Sequence, residues 1–387
     1  MCLVVAIVAI WPILPDANSL LFIPALSPFV AIASLLGTRA FHAATWLGLT
    51  VVVVILVSHR FFCRWICPVG LCVDGVGWLG RRLGRRPMTG TLLGRWIFWL
   101  TIGGALLGYP LLLWLDPLAI FNNFPFVAQR SYDPVMWLPA TGFGFIIMIS
   151  IIWPKAWCAK ICPLGASQDI LALARRSLQL IIYQKEKADM ESTLNLFIDR
   201  RTVLGITVGA SLAWMVRAGS AKGLSPLRPP GAADESKFAG ICTRCGNCLR
   251  VCPSKIIERD FVQYRLSNLF TPVLTFRDDY CREDCTRCTE VCPSGALVRL
   301  SLKDKAGIQI GMPQVNMNVC LLGDDRECST CKRWCPYDAV RYVFSEEQYT
   351  LLPQIDAQKC NGCGACEAVC PTKPKKAIVV LPNHMLH

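Results

Sequence analysis

The sequence predicts two parts of different class: a polytopic α-helical membrane domain, then an α+β domain built on four four-cysteine motifs. Three observations predict it. The 387-residue chain is 53% hydrophobic and 17% charged, with a mean hydropathy of +0.41, against roughly 45–50% and 25% in ordinary globular chains. Its cysteines are unevenly spread, with 16 of the 22 in residues 223–387. So is its charge: residues 1–222 hold 19 Lys and Arg against 9 Asp and Glu, so 10 of the 13 net positive charges lie between apolar segments. Nucleic-acid binding needs a basic patch on a soluble face, so no nucleic-acid partner is expected.

A helix needs roughly 20 apolar residues to cross a bilayer. Trp96–Leu115 has that length, and Ala43–His59 and Trp137–Pro154 are slightly shorter. Met1–Leu14 is apolar but short and lacks a basic flank. Leu20–Gly37 is broken by Pro24 and Pro28; it reads as a half-helix or a surface helix, with a full span as the alternative. Lys and Arg of short loops stay on the cytoplasmic side. Residues 59–95 hold seven and residues 155–201 hold eight, while the opposite loops hold only Arg39 and Arg130. Both basic segments are therefore expected in the cytoplasm.

Each basic segment opens with the same motif. FFCRWICPVG contains Cys63 and Cys67, and AWCAKICPLG, 95 residues later, contains Cys158 and Cys162. Thiols four residues apart share one helix face. Two equivalent repeats packed about a pseudo-two-fold axis would bring the pairs together. Cys63, Cys67, Cys158 and Cys162 are thus a candidate fifth metal site, holding one more iron–sulfur cluster; the competing reading is a thiol–disulfide relay in which each pair acts alone. Gly75–Gly80 matches GxGxxG but follows no predicted strand. It reads as part of a basic loop, not a dinucleotide site. His42, His59, His384 and His387 are the four histidines. His42 and His59 end one helix on opposite sides, and the chain has no CxxCH, so no haem is expected; no flavin motif is present either.

Asp199-Arg-Arg-Thr-Val-Leu-Gly205, the apolar stretch to Val216 and the small residues after it are similar to a twin-arginine export signal. An ordinary fifth span is the first alternative. The second is a surface helix that keeps the following domain cytoplasmic. The organisation expected is a membrane domain over 1–199, a signal-anchor-like segment over 200–222 and a cysteine-rich domain over 223–387.

The cysteine-rich part holds four groups of four, with none left over. Cys242, Cys245, Cys248 and Cys252 read C-x2-C-x2-C-x3-C-P, as do Cys360, Cys363, Cys366 and Cys370. Cys281, Cys285, Cys288 and Cys292 read C-x3-C-x2-C-x3-C-P. Cys320, Cys328, Cys331 and Cys335 read C-x7-C-x2-C-x3-C-P. The first spacing is the bacterial ferredoxin run, in which the fourth Cys serves the other cluster of a pair; which motifs pair here stays open. Zinc sites prefer paired Cys across a longer gap, and disulfides do not require four repeats of Cys-Pro. Four [4Fe-4S] clusters in a bacterial-ferredoxin-type domain are expected. Each adds roughly two negative charges, so the loaded domain is acidic.

Residues 24–170, through HRFFCRWICPVG, WLDPLAIF and WCAKICPLGA, resemble the NapH-type membrane quinol dehydrogenases of periplasmic nitrate reductase systems. Residues 200–387, through LRPPGAADESKFAGICTRCGNCLRVCP, VCPSGAL and CNGCGACEAVC, resemble NapG-type four-cluster ferredoxins. The resemblance implies a fusion of the two, multi-pass in a bacterial inner membrane, with the Cys-x-x-x-Cys-Pro loops cytoplasmic and the ferredoxin domain periplasmic. It implies membrane lipid and quinol as partners, and electron flow from the quinol pool to a periplasmic reductase or c-type cytochrome. The alternative is a redox maturation factor for a periplasmic metalloenzyme. Two features depart from the pattern: Ala166–Asp199 lacks the cysteines of a further cluster module, and the second motif has altered spacing. His42 and Asp116 are the quinol-site candidates; Asp133 reads as a helix cap.

Overall fold

The computed structural model describes residues 23–58, 60–88, 92–129, 138–182, 199–220, 225–324, 326–346 and 349–382. Met1–Leu14, His59, Asp133, His384 and His387 lie outside them. The chain divides into two compact units. One comprises Met1–Lys222, Asp234–Gly246 and Cys292–Ala296; the other comprises Gly223–Ala233, Asn247–Val291 and Leu297–His387.

The described part of the first unit is helical: α1 (Pro28–Thr38), α2 (Ala43–Val57), α3 (Phe61–Trp65), α4 (Pro68–Arg82), α5 (Leu93–Leu106), α6 (Pro117–Gln129), α7 (Leu138–Ile152), α8 (Pro163–Ile182), α9 (Arg200–Ser220) and α10 (Glu235–Ile241), with a π-turn at Trp157–Ile161. Four of these helices begin with proline, whose missing N–H costs nothing at that position. The residue before each proline caps the helix. Ser27, Cys67, Asp116 and Cys162 accept from the backbone N–H of Val30, Gly70, Ala119 and Gly165 at 3.3, 3.4, 3.1 and 3.5 Å. α1 starts at the second of the two prolines of that segment.

The core gathers Phe29 of α1, Ile55 of α2, Phe62 of α3, Leu118 of α6, Ile146 of α7 and Leu164 of α8, all buried. α5 packs on α1, α8 and α9, and α7 on α4 and α6. Two sequence expectations change here. Trp96–Leu115 is not one helix: α5 ends at Leu106, Gly108 turns the chain at φ 79°, and Pro110 and a 3₁₀ turn at Leu113–Leu115 follow. The Gly75–Gly80 segment is not a loop but lies inside α4, where a Cβ on Gly80 would stand 2.5 Å from the carbonyl of Ile151; Gly80 serves helix packing.

Among the described helices one, over Arg200–Gly219, is long and apolar enough to cross a membrane. Pro28–Thr38, Ala43–Val57, Leu93–Leu106 and Thr141–Ile152 are apolar but shorter. α9 outruns the fifteen apolar residues of the expected span. It lies against α5 through Gly205 and Gly209, four residues apart. A Cβ on Gly209 would run into the carbonyl of Leu100, and one on Gly103 into that of Ile206. Small residues at this spacing let two helix backbones approach.

The second unit carries three two-stranded antiparallel sheets. β1 (Ile257–Arg259) pairs with β2 (Pro272–Leu274), β3 (Met312–Val315) with β6 (Ile378–Leu381), and β4 (Val340–Ser345) with β5 (Thr350–Ile355). Its helices are short: α11 (Asn247–Val251), α12 (Arg287–Glu290), α13 (Leu302–Gly307), α14 (Thr330–Arg333) and α15 (Ala365–Ala368). Four of them carry the third cysteine of a motif: Cys248, Cys288, Cys331 and Cys366.

Candidate metal centres

In the second unit the cysteines assemble by exchange. Cys320, Cys328, Cys331 and Cys370 line one small hollow. Cys335, Cys360, Cys363 and Cys366 line another. Each hollow takes three cysteines from one motif and the fourth from the other. Burial, then the neighbouring Cys335 and Cys360, push the Cys363 thiol up to about 12, and burial followed by Cys363 and Cys360 raises Cys366. Sulfurs this close and this enclosed stay deprotonated only when metal binds them.

Cys252, the last cysteine of the first motif, lies close enough to Cys281 and Cys288 of the second to act on their thiols. Cys281 and Cys288 are raised chiefly by burial and also by the charges of Cys252 and Cys285. Beside this set lies Lys305, fully buried, whose Nζ donates to the carbonyls of Arg282 and Cys285. A buried ammonium requires an anion nearby, and an iron–sulfur cluster held by four thiolates is one. Among the described residues, no group of three or more His, Cys, Asp or Glu is arranged for a single metal ion.

Cys242, Cys245 and Cys292 belong to the first unit. Asn122 and Asn123 of α6 hold the Cys242–Cys245 loop, their amides donating to the carbonyls of Cys245 and Arg244 at 3.0 and 3.1 Å. Arg244 lies over the Trp114 ring at 5.2 Å. α10, just before this loop, rests on Tyr109, whose ring a Cβ on Gly240 would meet at 2.8 Å. The sequence reading missed both asparagines; the available signal was an Asn pair inside an apolar helix, directly after DPLAIF.

The two quinol-site candidates fare differently. Asp116 is fully buried; Ser27 Oγ donates to its Oδ1 at 2.6 Å, and its Oδ2 caps α6. It ties the starts of α1 and α6 together. His42 precedes α2, and its backbone N–H donates to Thr45 Oγ1 at 3.3 Å. Its ring lies against Gly295, three residues after Cys292, and Nε2 is buried without a hydrogen-bond partner.

Cys63, Cys67, Cys158 and Cys162 come together in the helical core. Burial first, then the charge of Cys158, pushes Cys63 up to about 12; burial and Cys67 do the same to Cys158. Cys162 is raised by burial and by Cys158, Cys63 and Cys67. The two repeats match in detail. A Cβ on Gly70 would lie 2.6 Å from the Cys63 carbonyl, and one on Gly165 2.7 Å from that of Cys158. Arg60 and Lys155, each three residues before the first Cys, both adopt positive φ, 56° and 65°. Arg60 pairs with Asp169 of the other repeat through two 2.8 Å hydrogen bonds, and Lys155 reaches Asp74 of the other repeat at 3.8 Å. Both acids stand seven residues after the second Cys. Crossed pairs of this kind are what a pseudo-two-fold arrangement produces. Symmetry breaks at Gln168, whose Nε2 donates to Cys63 Sγ at 2.9 Å; the equivalent residue of the first repeat is Val73.

Sets of four cysteines that exchange fourth members define an iron–sulfur protein of the ferredoxin type. A 4Fe-4S dicluster domain matches residues 241–296 and 326–373, and a 4Fe-4S binding domain matches residues 39–86 and 135–180, one match per Cys-x-x-x-Cys-Pro repeat. Ferredoxin-type protein NapG of Escherichia coli (strain K12) is 36% identical over 195 residues, which cover 47% of this chain and 81% of that protein. Methylamine utilization ferredoxin-type protein MauM of Methylobacillus flagellatus is 34% identical over 190 residues, 47% of this chain and 78% of that protein. Ferredoxin-type protein NapF of E. coli is 32% identical over 152 residues, 39% of this chain and 83% of that protein. No solved structure matches. The chain belongs to this family of ferredoxin-type iron–sulfur proteins, and its role is electron transfer.

Proposed function

We propose that the chain is a membrane-bound fusion of NapH-type and NapG-type parts, which oxidises quinol and passes the electrons to a periplasmic reductase or c-type cytochrome. The observation that carries this reading is the placement of Cys242, Cys245, Cys292 and an unpartnered His42 Nε2 within the apolar helical unit. Oxidising one quinol releases two protons and two electrons. His42 Nε2 is a proton acceptor next to the Cys292 loop, and Asn122 and Asn123 hold the facing loop of Cys242 and Cys245. Asp116, enclosed as a cap, keeps α1 and α6 in place and has no path to substrate.

Bound in the cysteine sets, [4Fe-4S] clusters supply one-electron transfer. Cys242, Cys245 and Cys292, all in the first unit, remain as ligands for a further ferredoxin-type cluster. Cys63, Cys67, Cys158 and Cys162 hold a fifth. The positive-inside count places this fifth site on the cytoplasmic side. α5 supports opposite ends for the two kinds of site. A Cβ on Gly94 would meet the Cys162 carbonyl, and one on Gly104 the Tyr109 carbonyl under α10; ten residues of helix separate them, about 15 Å along the axis.

The test is reduction by quinol of the full chain, purified anaerobically in detergent. It should carry about 20 Fe, from five four-iron clusters, and its visible absorption should bleach on addition of quinol. His42→Gln should keep its iron and slow bleaching by about 10²-fold or more, the usual contribution of a positioned base. Iron-replete protein that quinol leaves fully oxidised would refute the quinol reading. A maturation factor working through a thiol relay needs accessible thiols. Cys67 and Cys162 are buried, while Cys63 and Cys158 are partly exposed, so a relay would have to enter each pair through its first cysteine.

A further inference from the structure

Lys305 lies in the last turn of α13 and is one of the largest fully buried side chains described. Its Nζ donates to the carbonyl of Arg282 and, at 2.7 Å, to that of Cys285. Both carbonyls belong to the loop that runs from Cys281 to Cys288, and the ammonium also faces the Cys281 thiol. Among the described residues no carboxylate pairs with it. The neighbouring acid, Asp304, is engaged with Ser301 at 2.6 Å in the cap of α13. The two hollows of the later motifs differ. Neither is lined by Lys or Arg. The nearest comparable contact is Lys376, which donates to the carbonyls of Cys370 and Ala368 at 2.7 and 3.1 Å but is only half-buried.

A cluster held by four thiolates is anionic, and it gains one further negative charge when it takes an electron. A cation fixed beside it in a water-poor site favours that reduced form. We propose that Lys305 raises the reduction potential of the centre held by Cys252, Cys281, Cys285 and Cys288 above the potentials of the two centres in the hollows of the later motifs, so that this centre fills with an electron before they do. The step is one electron onto one cluster, supplied by the quinol or by a neighbouring centre, with no proton and no bond to the lysine. The proposal rests on reading these cysteine sets as [4Fe-4S] sites.

The experiment is a potentiometric titration of the full chain in detergent, followed by electron paramagnetic resonance, with iron measured on the same samples. Lys305→Met keeps the length of the side chain and removes its charge. One cluster component should move to lower potential while the others stay, with iron unchanged. Lys305→Arg should leave the wild-type order in place, and Lys376→Met should produce a smaller shift. Full iron with unmoved potentials in Lys305→Met would overturn the proposal and reduce Lys305 to a loop staple. If Lys305→Met instead loses about four Fe, one cluster's worth, Lys305→Arg decides. Retention of iron and of the high-potential component there supports a charge role, and loss in both variants overturns it. A wild-type chain without iron would sink the cluster reading itself, before any variant is compared.

Discussion

Gly70 and Gly165 each leave no room for a methyl group, because a Cβ would press into the carbonyl of the first cysteine of their own motif. Gly70→Ala and Gly165→Ala should each cost the Cys-x-x-x-Cys-Pro centre, read as the loss of about four Fe. Gly75, five residues further along α4, has open space around its Cβ position; Gly75→Ala should stabilise the chain by about 1 kcal/mol through helix propensity alone. Cys67→Ser and Cys162→Ser, made singly, should abolish the same spectroscopic component, since the two thiols stand in one set. Unchanged iron in both would reject a shared site. The crossed ion pairs should be unequal. Lys155 and Asp74 are both more than half exposed, and Lys155→Ala should cost at most about 1 kcal/mol. Asp169 is 17% exposed and accepts two hydrogen bonds from Arg60, so Arg60→Ala should lower the melting temperature more than Lys155→Ala does.

At the scale of the element, α9 meets α5 through a close approach of backbones at its glycines. Gly209→Leu should drive it off Leu100 and lower the melting temperature, whereas Gly219→Leu, at a position with open space, should not. The GxxxG spacing behind this was legible in GITVG; the partner helix was not. The same limit applies elsewhere. Short-range signals survived into the structure: Cys-Pro helix starts, the break at Pro24 and Pro28, and the repeat of CPVG and CPLG. What sequence reasoning could not supply was any contact between distant residues. Arg60 and Asp169 are 109 positions apart, and Asn122 and Cys245 are 123 apart. The choice of partner motif for each fourth cysteine is likewise set by three-dimensional closure. The division of Trp96–Leu115 was visible in Gly108 and Pro110, but hydropathy averaged over a window conceals a turn made of apolar residues.

For the whole molecule, the two units should respond differently to loss of metal. The second is made of strands of three to six residues and helices of about one turn, drawn around cysteines. Such domains owe their folding free energy to the metal. Chelation under reducing conditions should therefore expose residues 247–291 and 297–382 to protease while the helical circular dichroism of the first unit persists; equal resistance before and after chelation would count against this account. Topology is read at the other end of the chain. A reporter fused after His387 should be active only outside the cytoplasm if α9 crosses the membrane, and activity inside would overturn both the location and the proposed acceptor.

The exchange of fourth cysteines also has a consequence for the order of synthesis. The set that begins at Cys320 closes only with Cys370, and the set that begins at Cys281 reaches back to Cys252. A ribosome that has made residues 320–369 has therefore produced three ligands of a centre that still lacks its fourth, together with four ligands of a centre whose stable surroundings include β6, at Ile378–Leu381. Metal delivered during translation would meet incomplete sites, so loading of the later pair must wait until Cys370 and β6 have been made. A nascent chain stalled at Val369 should hold fewer irons than one stalled at His387, and a delivery system serving this protein has to act after the last cysteine motif has been translated.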